Sequence, residues 1–247
     1  MSDVTTTGFL LLVLAALLVG FAKTAIGGAA SISVAIFAAV LPAKESTGAL
    51  LPLLMVGDVL ALRAYRRHAD WGVLLRLFPS VAVGVLAGAL FVSAVDDTVM
   101  RRTIGAVLIA LVGVHLWQRR RGAHAVPTGW ARHGAGLAFG VLAGFTTMVA
   151  NAGGAVMSLY LLTMGFAMLG FLGTSAWFFA VVNAFKVPFS VALGLITGPV
   201  LLLCAALSPA VVAGGWLGRR VIQRIDQARF QQIVLVVTVL SGLNLLR

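Results

Sequence analysis

Gly20-Phe21-Ala22-Lys23-Thr24-Ala25-Ile26-Gly27-Gly28 breaks an otherwise uncharged apolar run over residues 8–40 with one cation and one glycine pair. A second run, over residues 170–196, holds one cation in the same way, in Val182-Asn183-Ala184-Phe185-Lys186-Val187-Pro188. An ammonium in hydrocarbon costs about 2.5–3.5 kcal/mol even on the lenient insertion scale. A cation kept there needs a partner, and a carboxylate or another oxyanion is a natural one. The two lysines therefore point to an anion-handling membrane protein.

The rest of the chain agrees with a membrane setting. Of its 247 residues 61% are hydrophobic and 10% charged, against about 25% charged in a soluble domain. Apolar runs recur at 46–62, 74–92, 104–117, 200–217 and 233–246, and an apolar stretch near 20 residues reads as a spanning helix. A closed barrel would need alternating polar and apolar residues, which these runs lack. The expected class is an all-α polytopic membrane protein. The formal charge of +11 does not mark a nucleic-acid binder. Its arginines cluster at the ends of the runs, at Arg63, Arg66 and Arg67, at Arg119, Arg120, Arg121 and Arg132, and at Arg219, Arg220, Arg224 and Arg229. That is the bias of cytoplasmic loops. The single cysteine, Cys204, excludes an internal disulfide or cysteine metal site. Residues 1–7 lack a basic n-region, so no cleaved signal peptide is expected.

The order of features repeats about the basic stretch 119–133. Gly20-Phe21-Ala22-Lys23 with Gly27-Gly28 matches Gly144-Phe145-Thr146-Thr147 with Gly153-Gly154, and Asp58 falls opposite Asn183. Gly84, Gly88 and Asp96 match Gly214, Gly218 and Asp226 at one constant offset. The run 8–40 is too long for one helix, so two half-helices of about 14 residues are expected, neither reaching across a ~30 Å core. Spans at 46–62, 71–92 and 99–118 follow. The second half repeats this with a hairpin over 133–168 and spans at 170–191, 197–217 and 230–246. An odd number of crossings per half makes the repeats inverted. The expected organisation is a first repeat over 1–118, a basic cytoplasmic linker over 119–133 and a second repeat over 134–247, with both termini outside.

In inverted-repeat transporters broken helices meet near the midplane, where their free N–H groups face an anion. The expected substrate-binding residues are Lys23, Thr24, Gly27, Gly28, Thr146, Thr147, Asn151, Gly153, Gly154, Asn183 and Lys186. Glycines also serve simple helix contact. Lys186 either lines the site or snorkels to the interface. Asp58 pairs with Lys23 or carries a proton, and Glu45 is a second coupling candidate or a helix-start charge. Arg66, Arg67 and Trp177 are candidates for a gate, and Ser46 and Thr47 for helix caps. No nucleophile–base set, metal spacing or phosphate loop stands out, so neither an enzyme nor a metal or other cofactor is expected.

At these residues the chain resembles the TauE/SafE (sulfite exporter) permeases. The resemblance also rests on Pro42-Ala43-Lys44-Glu45-Ser46-Thr47-Gly48, Tyr65-Arg66-Arg67-His68-Ala69-Asp70-Trp71, Gly144-Phe145-Thr146-Thr147-Met148-Val149-Ala150-Asn151-Ala152-Gly153-Gly154 and Gly173-Thr174-Ser175-Ala176-Trp177. It implies a bacterial inner-membrane permease, often an exporter, for sulfur oxyanions, sulfonates and related small organic anions. The expected function is alternating-access transport of sulfite or an organosulfonate between the two repeats. An uncoupled anion channel and a non-transporting assembly subunit are the rivals. The expected partners are a small anion and membrane lipid, without nucleic acid. Protons as coupling ion and a homodimer stay open.

Overall fold

The computed structural model describes residues 5–25, 30–100 and 129–224, with isolated positions among 102–110 and at 226 and 229. The third span of each half (99–118 and 230–246) lies almost wholly outside these, as do Gly27, Gly28 and most of the basic linker. Among the described residues every regular element is helical. Helix α1 is Thr6–Thr24, α2 Ala30–Val40, α3 Ala43–Tyr65, α4 Trp71–Ala94, α5 Gly129–Ala150, α6 Gly153–Thr163, α7 Met168–Ala192 and α8 Gly198–Ile222. A single 3-10 turn, Arg66–His68, joins α3 to α4. Five of the helices are long and apolar enough to cross a membrane: α1, α3 with its 3-10 turn, α4, α7 and α8. Large apolar side chains stay on the outer surface, among them Leu10, Leu75, Leu90 and Leu202. In water they would be a liability; against lipid they are not.

Polar side chains at the helix ends explain several boundaries. The Thr5 hydroxyl accepts from Gly8 N at 3.1 Å, Asp70 Oδ1 from Val73 N at 3.0 Å, and Thr197 Oγ1 from Val200 N at 3.4 Å. Each satisfies one of the free amides of a first turn. Helix α3 is capped from a distance. The Asp97 carboxylate accepts from Ala43 N at 2.7 Å and Lys44 N at 3.0 Å. This displaces Ser46 and Thr47 from the capping role expected of them. Both instead donate to the Ala43 carbonyl. Asp96 and Asp226, which match in the sequence at one offset, both accept from the amide three residues on.

The broken runs are uneven rather than halved. Helix α1 has 19 residues and α2 has 11; α5 has 22 and α6 has 11. At about 1.5 Å per residue α1 measures about 28 Å, close to the core thickness. The expectation of equal half-helices fails because the glycine pair lies off-centre in its run. Each broken unit is a long helix followed by a short one folded back against it. The second break has a clear local cause. Asn151 adopts φ +50°, a left-handed conformation that asparagine tolerates better than most residues. The chain then turns so that Ala152 N–H reaches Thr146 O at 3.2 Å, as helix C-caps of this hand do.

The first helix of each half packs on the last described helix of the other. A side-chain carbon at Gly20 would overlap the Val211 carbonyl of α8, and one at Gly214 that of Leu17 of α1. Between α4 and α5 the same holds for Gly84 against Val141 and for Gly144 against Val81. Backbones this close need glycine. Through the middle run α3 and α7, antiparallel. Gly48 meets Leu195 at one end, Asp58 meets Asn183 at the centre, and Arg66 meets Trp177 at the other end. These contacts set Arg63, Arg66, Arg67, Arg219 and Arg220 at one end of the bundle.

Candidate functional site

Asp58 and Asn183 occupy the crossing of α3 and α7, and both are buried. Asn183 Nδ2 donates to Asp58 Oδ2 at 2.6 Å. The other oxygen, Oδ1, accepts from Lys23 Nζ at 2.6 Å, closing an ion pair whose side chains are 8% and 3% exposed. The Lys23 stem crosses Gly57, where a side-chain carbon would lie 2.8 Å from Lys23 Cγ. Its ammonium also sits 4.3 Å from the centroid of the Phe179 ring, a favourable face for a cation. Lys23 lies in the last turn of α1, so the negative end of the helix dipole adds to its stabilisation.

Lys186, one turn beyond Asn183, is 1% exposed and does not reach the interface. The snorkelling alternative is thereby removed. Its Nζ donates to the Thr147 carbonyl and to Asn151 Oδ1, each at 2.6 Å, and lies 3.3 Å from Thr147 Oγ1. These acceptors are neutral and stand at the C-terminal end of α5, where free carbonyls gather. Taken at their ordinary charges, two lysines and one aspartate leave the buried cluster one unit positive.

A cavity runs beside this cluster and holds about 540 Å³ not filled by protein, its mouth included. Lys23, Asp58 and Asn183 line it, with Thr147, Asn151 and Gly154 on the α5–α6 side. Most of the remaining wall is apolar, including Leu54, Phe171 and Phe179, with Ser175 as one further hydroxyl. A mostly apolar wall with a few convergent polar groups is the usual make-up of a small-ligand site.

The two breaks do not meet at one level. Tyr65 OH donates to the Thr24 carbonyl at 2.8 Å, while Asn151 Nδ2 donates to the Thr47 carbonyl at 3.0 Å. Lys23, next to Thr24, packs on Gly57, 10 residues along α3 from Thr47, about 15 Å of helix rise. The breaks are thus offset along α3 yet border one cavity, Lys23 and Ala30 from the first and Asn151 and Gly154 from the second, and the lysine side chains bring charge to the space between. The hydroxyls of Thr24 and Thr146 donate to protein carbonyls. The Thr24 hydroxyl donates to carbonyls of its own helix and of Gly215, the nearest at 2.8 Å, and Thr146 to Leu142 O at 2.7 Å. Gly153 is a contact glycine, since a side-chain carbon there would sit 2.8 Å from Thr147 Cβ. Glu45 is exposed in the first turn of α3, 13 residues from Asp58. Arg66 and Arg67 are exposed too, and Trp177 Nε1 donates to the Arg66 carbonyl at 3.2 Å while its ring lies 4.9 Å from Trp71.

Sequence reasoning missed Thr47, Leu54, Ser175 and Phe179. A signal for three of them was present. Ser175, Phe179 and Asn183 step by four along α7, and Leu54 is one such step from Asp58, so each polar anchor shares its helix face with cavity wall.

The family model described as Sulfite exporter TauE/SafE matches residues 12–245. No curated protein matches the chain significantly, and no solved structure does. With nearly its whole length matched, and with a helical membrane fold built around buried lysines, the chain belongs to the TauE/SafE sulfite exporter family, a family of membrane transporters.

Proposed function

We propose that this protein carries a small oxyanion, sulfite or an organosulfonate first, across a bacterial inner membrane, and that it acts as an exporter. The observation that carries this reading is the unbalanced charge at the core: Lys23 and Lys186 against Asp58 alone among the described residues, beside a cavity. A buried cation matched only by neutral acceptors is costly, and a bound anion would complete it. Lys23, Asn183, Thr147, Asn151 and Gly154 are the residues proposed to surround that anion, with Gly27 and Gly28 at the first break. Lys186 holds Thr147 and Asn151 in place from behind and supplies the net charge. Asp58 serves first as the ion-pair partner of Lys23 and could exchange a proton when that pair opens.

The proposed architecture is two inverted repeats, 1–118 and 134–247. Three features support it. Matched residues Asp58 and Asn183 meet where α3 and α7 cross antiparallel, as an axis in the membrane plane requires. The contacts of α1 with α8 are mirrored by those of α5 with α4. The two breaks border one cavity, Ala30 from the first and Gly154 from the second. The glycine contacts tie each half to the other, so the moving bodies of an alternating-access cycle would be the exchanged pairs, α1 with α8 and α4 with α5, turning about the central crossing. Arg66, Arg67 and Trp177 are suited to close the end of the cavity nearest them.

The test is uptake of labelled sulfite, sulfate and a two-carbon sulfonate into proteoliposomes, with and without an imposed pH gradient. Flux of at least one anion above empty liposomes is expected, with loss of flux in Lys186→Gln. Undiminished flux in that variant would remove the buried charge from the mechanism.

A further inference from the structure

The cluster contains an acceptor with no donor among the described residues. Asn183 is 1% exposed and lines the cavity. Its amide orientation is set by Asp58, because a carboxylate can only accept and so must face Nδ2 rather than the amide oxygen. The opposite atom, Asn183 Oδ1, is buried without a hydrogen-bond partner among the described residues. A buried acceptor left unsatisfied is unfavourable by an amount comparable to a lost hydrogen bond. The fully deprotonated oxyanions of sulfur have no hydrogen to offer it.

Charge narrows the ligand independently. The cluster is one unit positive with Lys23, Asp58 and Lys186 at their ordinary charges. A monoanion brings it to neutrality, whereas a dianion leaves an excess negative charge in an apolar-walled cavity, where unpaired charge is strongly disfavoured. From these two observations we infer that the site selects a singly charged oxyanion that also carries an O–H or N–H donor, read by Asn183 Oδ1. Hydrogen-bearing inorganic monoanions and hydroxy-substituted sulfonates fit; dianions, plain alkyl sulfonates and amino-substituted sulfonates, which are zwitterions of zero net charge, fit less well. The inference rests on the anion reading of the site and adds a rule of discrimination to it.

Charge and donor can be separated at fixed pH and ionic strength with stable probes. Initial uptake into proteoliposomes is measured at subsaturating concentrations of 2-hydroxyethanesulfonate, ethanesulfonate and sulfate. The first two are monoanions of similar size, differing by one hydroxyl; sulfate is a dianion without a donor. Uptake of the hydroxyl compound is expected to exceed that of ethanesulfonate about tenfold, since a site with a buried polar group discriminates against a ligand that leaves it unpaired. Sulfate is expected to be slowest. In Asn183→Leu the preference between the two sulfonates should fall to within about twofold. Ethanesulfonate taken up as fast as its hydroxyl analogue would overturn the donor rule while leaving anion transport standing. Sulfate matching the monoanions would overturn the charge rule. A full preference surviving in Asn183→Leu would remove Asn183 as the reader. Uptake of none of the three would overturn the anion reading and this inference with it. Should Asn183→Leu not fold, the wild-type series decides by itself.

Discussion

Replacing Lys23 with methionine strands the Asp58 carboxylate in a core where it is 3% exposed and keeps one donor, Asn183 Nδ2. Breaking a buried pair from one side costs about 3–5 kcal/mol, while replacing both partners with apolar groups of similar volume is often near neutral. Lys23→Met and Asp58→Leu should therefore each destabilise strongly, and the double variant much less than their sum. The coupling expected from the cycle is about 3 kcal/mol or more. At about 2–4 °C of melting temperature per kcal/mol for a chain of this size, each single variant should melt about 10 °C lower. The double variant should recover most of that loss. Thermal unfolding in detergent, followed by tryptophan fluorescence, measures all four proteins. Flux separates charge from stability. Lys23→Met brings the cluster to zero charge and should lose at least tenfold in anion uptake per folded molecule, while the double variant, again at +1 through Lys186, should recover part of it. Additivity within about 0.5 kcal/mol would refute the claim that the pair acts as one unit. Equal flux in all four proteins would refute the claim that net charge drives anion capture.

Other outcomes follow from single contacts. Lys186→Gln keeps a donor toward Thr147 O and Asn151 Oδ1 but removes the unmatched charge; anion uptake should fall at least tenfold with a smaller effect on melting than Lys186→Met. Gly144→Val places side-chain carbon against the Val81 backbone, and overpacking of this kind costs about 1–3 kcal/mol or more; size-exclusion profiles in detergent should show lost folded yield, and Gly20→Val should do the same. Asp97→Ala frees the Ala43 and Lys44 amides, at a cost of about 1–2 kcal/mol; melting should drop while anion preference stays unchanged, because the cap is remote from the cavity.

How much of this was legible in the sequence varies residue by residue. That Asp58 and Asn183 occupy matching places was visible from their spacing, and so was the presence of Lys23 in the core; for Lys186 the sequence left snorkelling open. Which acceptor each lysine meets was not. Asp58 could equally have faced Lys186, since both lysines sit on helices that touch the same centre. Thr24 and Thr146 looked like ligand donors because hydroxyls near a break often are. Thr146 donates to a carbonyl four residues back, a local bond that competes with any ligand, and Thr24 donates closest to Gly215 of α8; no residue pattern distinguishes either. Glu45 stood as a second coupling candidate, and one continuous helix α3 sets the 13 residues between it and Asp58 about 20 Å apart.

The sequence alone determined the helical membrane class, the positions of the long apolar helices, the breaks and the kind of charge held between them. These follow from hydropathy, glycine placement and the energetic penalty of an ion in hydrocarbon, all of which act along the chain. The tertiary structure alone decided that α1 joins α8 and α4 joins α5, that both breaks border one cavity, and that one amide oxygen at the crossing has no donor among the described residues. In lipid the apolar helix faces resemble one another and give no direction to association. Partner choice then falls to close backbone approach at Gly20, Gly84, Gly144 and Gly214, a property of surfaces that exists only once the helices are placed side by side.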